Sequence, residues 1–215
     1  MNFKLKKEWP LLLIVALPLI AAILVYPKMP EQVPIHWNVQ GVADGYGSRA
    51  FGTFFLPLLN IAMYALFLVL PKLDPKRANY EKFTSSYLTI RYAFHLFFMG
   101  LFAATAAASL GYPVSVDRWI KIGAAVLVIV MGNVMGRVRH NYFVGFKYPW
   151  TLANEEVWKR THQFGAKLMV AGGFAALCGA ILTDGTVSFV ILMAGLLIPM
   201  VITTIYSYLI YKKIA

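Results

Sequence analysis

The chain has 215 residues, of which 60% are hydrophobic and only 13% are charged. A soluble domain carries roughly 25% charged and 45–50% apolar residues, so this composition excludes an ordinary soluble fold. The formal net charge of +11 would suggest nucleic-acid binding in a soluble protein. Here the Lys and Arg residues gather in alternate connectors between apolar blocks, as the positive-inside rule of membrane proteins predicts. The charge therefore indicates orientation in a membrane, and we expect no direct nucleic-acid contact.

Six apolar blocks approach or reach the length of about 17–25 residues that a helix needs to cross the hydrocarbon of a bilayer. The first follows a basic segment and resembles a signal peptide, but it is too long for one and no small-residue cleavage site follows it. The sequence therefore predicts an all-α integral membrane protein with six transmembrane helices. The predicted spans are residues 9–26, 51–70, 87–110, 119–135, 164–182 and 187–211.

The distribution of basic residues predicts the orientation of these spans. With the N-terminus inside, the inner segments hold fifteen Lys and Arg residues, and the outer segments hold four. This asymmetry predicts that both termini lie in the cytoplasm. We expect two membrane halves, residues 1–110 with an outer loop at 27–51, and residues 111–215 with an inner stretch at 137–162.

The outer loop contains a candidate ligand-binding surface. His36, Asn38 and Asp44 could converge on a cation or a polar ligand, with neighbouring aromatic residues as contacts. The alternative is an interfacial loop, whose aromatic residues lie at the membrane surface while Asp44-Gly45 turns the chain. No HExxH motif or paired cysteine set is present, so spacing defines no metal site and a bound metal stays an open question. The candidate residues are His36, Trp37, Asn38, Asp44, Tyr46 and Arg49.

Three polar residues fall within or at the edge of the predicted spans. Arg91 and His95 are four residues apart and share one face of the third helix. Arg91 lies close enough to the inner end for its side chain to reach the membrane surface. His95 lies deeper and should face the bundle, either as a functional group or as a neutral histidine bonded to a neighbouring helix. Asn133 is the third candidate, near the end of the fourth span.

The inner stretch, residues 137–162, combines aromatic, basic and glycine residues beyond what a connector needs. Thr151 or Asn154 can cap a short helix, in which Glu155–Lys159 and Glu156–Arg160 have the favourable i, i+4 spacing. A plain interfacial helix before the fifth span is the alternative interpretation. The candidate signalling or coupling residues are Asn141, Gly145, Lys147, Pro149, Trp150, Thr151, Asn154, Trp158, Thr161 and His162.

Two motifs in the chain resemble a known family. The inner motif reads Asn133-x-x-Gly136, then Asn141-Tyr-Phe-Val-Gly145-Phe-Lys-Tyr-Pro149-Trp150-Thr151-Leu152, then Asn154-Glu-Glu-Val-Trp158-Lys-Arg-Thr161-His162. It resembles the SdpI family of bacterial immunity proteins. The outer loop, Ile35-His36-Trp37-Asn38-x-x-Gly41-x-x-Asp44-Gly45, is similar to a small domain of unknown function in the N-terminal half of such proteins. Lys147 stands where the family pattern has arginine, so charge is kept but bidentate pairing is not.

The resemblance implies a multi-pass protein of the bacterial cytoplasmic membrane that gives resistance to a secreted, Sdp-like antimicrobial peptide. The implied partners are the lipid bilayer, the peptide toxin on the outer side and a transcriptional repressor captured on the cytoplasmic side. No catalytic residue and no cofactor are implied, and we favour a protein that is not an enzyme.

A membrane-embedded metal-dependent enzyme or a small-solute transporter is the alternative function. In that case the histidines His36, His95, His140 and His162 would line a polar path or bind a metal. The predicted topology puts these histidines on both sides of the membrane as well as inside it, which disfavours a single four-histidine site.

Overall fold

The computed structural model describes residues 5–214, with side chains from residue 8 onward. Within this part, six helices are long and apolar enough to cross a membrane, which confirms the predicted six-span, all-α membrane fold. The helices are α1 (Leu5–Val25), α2 (Arg49–Leu73), α3 (Thr84–Ser109), α4 (Val116–Met135), α5 (Pro149–Ala153), α6 (Glu155–Leu182) and α7 (Gly185–Ile214). Two 3-10 helices, Tyr26–Lys28 and Arg77–Phe83, and two strands, β1 (Gln32–Trp37) and β2 (Ala43–Ser48), complete the described elements.

The fifth span begins earlier than the sequence predicts. Helix α6 begins at Glu155, nine residues before the predicted start of this span at residue 164, and the short helix α5 precedes it. Asn154 caps α6 by accepting hydrogen bonds from the backbone N–H groups of Glu156 and Val157 at 2.9 and 3.1 Å. No glycine or proline interrupts residues 155–164, so the helical hydrogen bonds continue into the apolar block.

The outer loop forms an antiparallel hairpin with an irregular register between Pro34 and Trp37. Its turn is built by Asn38, whose side-chain oxygen accepts hydrogen bonds from the N–H groups of Gln40 and Val42, both at 3.0 Å. The alternative in which Asp44-Gly45 turns the chain is wrong, because both residues lie in β2. Val33 is buried against α2, where a Cβ added to Gly52 would lie 2.4 Å from the valine side chain.

The helices form two groups that are joined by α4. Helices α1, α2 and α3 pack together, α6 packs along α7, and α4 contacts both α3 and α6. The α6–α7 contact is close because it has glycine on both sides: a Cβ added to Gly172 would lie 2.1 Å from the Gly195 carbonyl oxygen.

Long-range contacts show which connectors share an end of the bundle. The backbone N–H of Tyr142 donates to Asp74, so the α2–α3 and α4–α5 connectors meet at one end, which we call the basal end. Arg118 pairs with Asp184, and Gly41 lies against Asp117, so the hairpin and the α6–α7 turn share the opposite end, which we call the hairpin end. The largest hydrophobic core, which includes Phe67, Tyr87 and Trp158, lies towards the basal end.

Candidate functional site

The α4–α5 connector, residues 136–148, is folded around the side chain of Asn141, which is fully buried. The Asn141 oxygen accepts hydrogen bonds from the N–H groups of Phe143 and Val144 at 2.9 and 2.7 Å. Its amide nitrogen donates to the carbonyl oxygens of Arg139 and Val144 at 2.8 and 2.9 Å. Because all these bonds are internal to the connector, Asn141 determines the shape of this loop.

Asp74 joins the α2–α3 connector to the α4–α5 connector. This buried carboxylate accepts hydrogen bonds from the Tyr142 N–H at 2.9 Å and from the Tyr80 hydroxyl at 3.1 Å. Nearby, the Asn79 side chain donates to the His140 carbonyl oxygen at 2.8 Å. The inner motif is therefore held by residues from the other half of the chain.

Gly145, Trp158 and His162 form the tightest contact of the basal end. The His162 Nε2 atom accepts from the Phe146 N–H at 2.9 Å, and Nδ1 donates to the Trp158 carbonyl at 2.8 Å. The His162 and Trp158 rings stack with centroids 3.9 Å apart, and the Trp158 indole donates to the Val138 carbonyl at 3.0 Å. Gly145 has a φ of +126°, and a Cβ added there would lie 2.1 Å from His162 Nε2.

The Pro149-Trp150-Thr151 segment attaches the connector to α7. Thr151 donates to the Phe146 carbonyl at 2.8 Å and accepts from the Tyr148 N–H at 2.9 Å, which shapes the start of α5. The Trp150 indole donates to the Ser207 hydroxyl at 2.8 Å. Ser207 also accepts a hydrogen bond from Thr161 on α6 at 2.9 Å. Among the ten candidate coupling residues, Lys147 and Pro149 are exposed, and the Lys147 ammonium contacts no carboxylate that the structure describes.

His140 is buried between Trp158 and the basic residue Lys76. The Lys76 ammonium donates to His140 Nδ1 at 2.8 Å, and a Glu155 carboxylate oxygen lies 3.5 Å from both nitrogen atoms. Glu155 therefore pairs with Lys76 across the connectors, and the predicted Glu155–Lys159 pair is wrong. Burial and, secondarily, the Lys76 charge lower the pKa of His140.

This lowered pKa makes stability depend on pH. As pH falls below about 6.5, the unfolded chain takes up a proton at His140 before the folded chain does, so the free energy of unfolding decreases. Above that pH His140 is neutral in both states, and its contribution is constant. We expect His140→Gln, which keeps an acceptor for Lys76, to flatten the loss of thermal stability between pH 7.5 and pH 5.5. Equal pH profiles for both proteins in detergent would contradict this expectation.

Arg91 is buried in the bundle. The interpretation that its side chain reaches the membrane surface is therefore wrong. Its guanidinium makes two hydrogen bonds to the Glu8 carboxylate of α1, at 3.0 and 2.6 Å. The Tyr64 hydroxyl of α2 donates to Glu8 at 3.2 Å, and the Arg91 guanidinium lies 5.4 Å from the Tyr64 ring centroid. One polar cluster therefore connects α1, α2 and α3.

His95 extends this cluster, whereas Asn133 lies outside it. The His95 ring is fully buried, and its Nδ1 atom lies 2.6 Å from the side-chain oxygen of Asn60 on α2. This geometry is that of a histidine hydrogen-bonded to a neighbouring helix, the structural alternative that the sequence left open. Asn133 is exposed on α4 and does not face the bundle interior.

At the hairpin end, His36 and Asp44 come together on adjacent strands. The His36 Nδ1 atom lies 2.5 Å from an Asp44 carboxylate oxygen, and the two side chains are 70% and 45% exposed. Tyr46 is also exposed, whereas Trp37 and Arg49 are half-buried. A pocket of about 220 Å³ lies between β1 and helices α2, α3 and α4, and it is lined by His36 and Trp37. Asn38 is used in the hairpin turn, so His36 and Asp44 form an exposed polar pair without it.

The four histidines do not form one site. His36 lies at the hairpin end, and His95 lies inside the α2–α3 contact. His140 and His162 both pack against Trp158 at the basal end, where His140 bonds to Lys76 and His162 to the Phe146 N–H. Among the described residues, no group of three or more His, Cys, Asp or Glu side chains could hold a metal ion.

Comparisons with known proteins match the regions that contain the outer-loop motif and the inner motif. The model of the SdpI/YfhL protein family matches residues 137–207, and that of a domain of unknown function, DUF1648, matches residues 13–61. The chain is 30% identical over 212 residues to the Immunity protein SdpI of Bacillus subtilis (strain 168), which covers 98% of each protein. The chain belongs to the SdpI/YfhL family. No solved structure matches it.

This SdpI/YfhL family member is a multi-pass cell membrane protein. The family match begins in the connector that Asn141 folds and ends on α7 at Ser207. At the basal end it therefore includes the α4–α5 connector, which contacts the α2–α3 connector. The residues of the α2–α3 connector that make these contacts, Asp74 and Asn79, lie outside both matched ranges.

Sequence reasoning missed several partners of the predicted residues in this SdpI/YfhL protein. Glu8 stands beside three lysines at the start of an apolar block, where an acid indicates only the edge of a span. Asn60 and Tyr64 lie within the second apolar block, and an asparagine there was a usable signal because buried polar groups in membranes need partners. Asp74 precedes a proline in a basic connector and has the pattern of an ordinary turn residue.

Proposed function

We propose that this chain gives its cell immunity to a secreted antimicrobial peptide of the Sdp type by binding that peptide. The observation that carries this proposal is the similarity over almost the whole chain to the Immunity protein SdpI. The family models match both halves, which supports a division into a hairpin-bearing half, residues 1–110, and an inner-motif half, residues 111–215.

The proposed orientation puts the hairpin end outside the cell and both termini in the cytoplasm. It is supported by the distribution of charge along the sequence, since the segments predicted to lie inside hold fifteen of the Lys and Arg residues. A peptide arriving from outside would then meet the exposed His36–Asp44 pair first, with Trp37 and Tyr46 as aromatic contacts. The pocket of about 220 Å³ beneath β1 is the place for an apolar side chain of that peptide.

Expression in a bacterium that is sensitive to Sdp-like peptides tests this function. We expect the wild-type chain to protect, and His36→Ala and Asp44→Ala to weaken peptide binding by about tenfold or more. Gln32→Ala is the matched control, because Gln32 is an exposed polar residue on the same hairpin. All variants are compared at equal abundance in the membrane fraction.

Two outcomes would contradict different parts of the proposal. Killing that the wild-type chain leaves unchanged for every peptide tested argues against immunity. Full protection by both hairpin variants rejects the hairpin as the binding surface and leaves immunity in place.

We further propose that the peptide-loaded protein captures a transcriptional repressor at the basal end. Exposed Lys147, in a connector that is held rigidly by Asn141 and Asp74, supports a fixed surface for such a partner. Purification of the protein from membranes with and without peptide tests this, with Lys147→Glu as the variant and Lys72→Glu as the control. A DNA-binding protein recovered equally in all samples would reject peptide-dependent capture.

A further inference from the structure

A polar cleft at the basal end is not used by any function described above. It has a volume of about 570 Å³ and lies between the 3-10 helix Arg77–Phe83, the α4–α5 connector and the first turns of α6. Its charged lining residues are Lys82, Arg139, Glu155, Glu156 and Lys159, and Trp158 and Val138 provide apolar surface.

The cleft has an excess of positive charge that the protein does not neutralise. Its two acids already have basic partners: Glu156 accepts from Arg160 at 2.6 Å, and Glu155 lies 3.5 Å from Lys76. In the part of the chain that the structure describes, no carboxylate lies within 4.0 Å of the basic groups of three cations. These three cations are Lys82, Arg139 and Lys159.

The position of the cleft identifies the depth at which a ligand would lie. It is formed where α3 begins at Thr84, where α4 ends at Met135 and where α6 begins at Glu155. The ends of spanning helices lie near the level of the lipid headgroups. Trp158 and Val138 therefore offer apolar walls beside a cationic rim at headgroup depth.

We propose that this cleft binds the phosphate of an anionic phospholipid headgroup. Basic pockets between transmembrane helices bind such headgroups, and the Arg139 guanidinium can donate two parallel hydrogen bonds to phosphate oxygens. Lys82 comes from the first half of the chain, while Arg139 and Lys159 come from the second. A bound headgroup therefore bridges the two halves and stabilises their contact. This inference does not depend on the immunity proposal or on the orientation in the membrane.

Lipid binding to purified full-length protein in a neutral detergent tests the proposal. The probes are phosphatidylglycerol, phosphatidylcholine, inorganic phosphate and a hexaglutamate peptide, and the readouts are thermal unfolding and native mass spectrometry. We expect phosphatidylglycerol to raise the unfolding temperature and to remain bound. The triple variant Lys82→Gln, Arg139→Gln, Lys159→Gln should lose affinity by on the order of 100-fold, since each cation near a headgroup contributes about 1 kcal/mol.

A matched control separates the cleft from general surface charge. The triple variant Lys72→Gln, Arg77→Gln, Lys147→Gln removes three exposed cations of the same end that do not line the cleft. It should bind phosphatidylglycerol like the wild type. If the cleft triple variant fails to fold, the single variants Lys82→Gln and Lys159→Gln replace it, because both side chains are exposed.

Each remaining outcome overturns a defined part of the proposal. Equal loss of binding in the two triple variants rejects the cleft. Equal stabilisation by phosphatidylcholine rejects selectivity for anionic headgroups. Inorganic phosphate that stabilises as well as phosphatidylglycerol, at the same concentration, keeps the phosphate site and rejects lipid as its source. Stronger stabilisation by hexaglutamate than by either phosphate source rejects the phosphate site in favour of an acidic protein segment.

Discussion

Gly145→Ala is expected to destabilise the basal end by about 2–5 kcal/mol. Part of this cost is the left-handed backbone, which disfavours any residue with a Cβ by about 1–2 kcal/mol. The other part is steric, because the new methyl group would lie 2.1 Å from His162 Nε2. Displacing His162 leaves the Phe146 N–H without its acceptor, which costs about 1–3 kcal/mol when that group is buried.

Gly111→Ala provides the control for this experiment. Gly111 also has a positive φ, +89°, but a Cβ added there would meet nothing within 4 Å. We expect this control to show only the backbone cost of about 1–2 kcal/mol. The measurement is thermal unfolding in detergent, together with the amount of folded protein in the membrane. Equal effects of the two substitutions would show that the contact with His162 is not close in solution.

Removing one partner of the Glu8–Arg91 pair should have an effect of similar size. Arg91 is completely buried and Glu8 is 6% exposed, so either single substitution removes a two-bond ion pair from inside the bundle. Breaking a buried ion pair in this way costs about 3–5 kcal/mol. We expect Arg91→Gln and Glu8→Gln each to lower the unfolding temperature and the membrane abundance of the protein.

A double-mutant cycle distinguishes pairing from general damage to the helices. The double variant Glu8→Gln, Arg91→Gln buries no charge at this pair, so it should cost less than the sum of the two single changes. Arg160→Gln breaks the exposed pair with Glu156 and should leave stability unchanged within error. Strictly additive single effects would mean that Glu8 and Arg91 do not interact in the folded protein.

Local features of the candidate site were predictable from the sequence. Asn154 caps α6, and Glu156 pairs with Arg160 one turn later, because both contacts depend only on spacing along one helix. His36 and Asp44 were grouped on one loop, and they meet there. The strands were not predicted, since three prolines and several glycines in the loop hide any alternation of polar and apolar residues.

Interhelical partners were not predictable, because they depend on the rotation and the crossing of helices that are far apart in the chain. Arg91 and Glu8 are 83 positions apart, and Trp150 and Ser207 are 57 apart. In an apolar block every face is hydrophobic, so no amphipathic pattern shows which side turns inward. For the same reason the sequence did not show that Asn133, near the end of the fourth span, lies on the outside of the bundle.

The sequence by itself determined the class of the protein, its number of spans and its family. The thickness of the hydrocarbon sets the length of each apolar block, and the family motifs are long enough to be read directly. The tertiary structure decided what the inner motif does within the fold. Asn141, Thr151 and His162 bond mainly to backbone groups of their own connector and neighbouring helix, which gives one rigid shape. Asp74 then joins that shape to the other half, a contact that only packing in three dimensions creates.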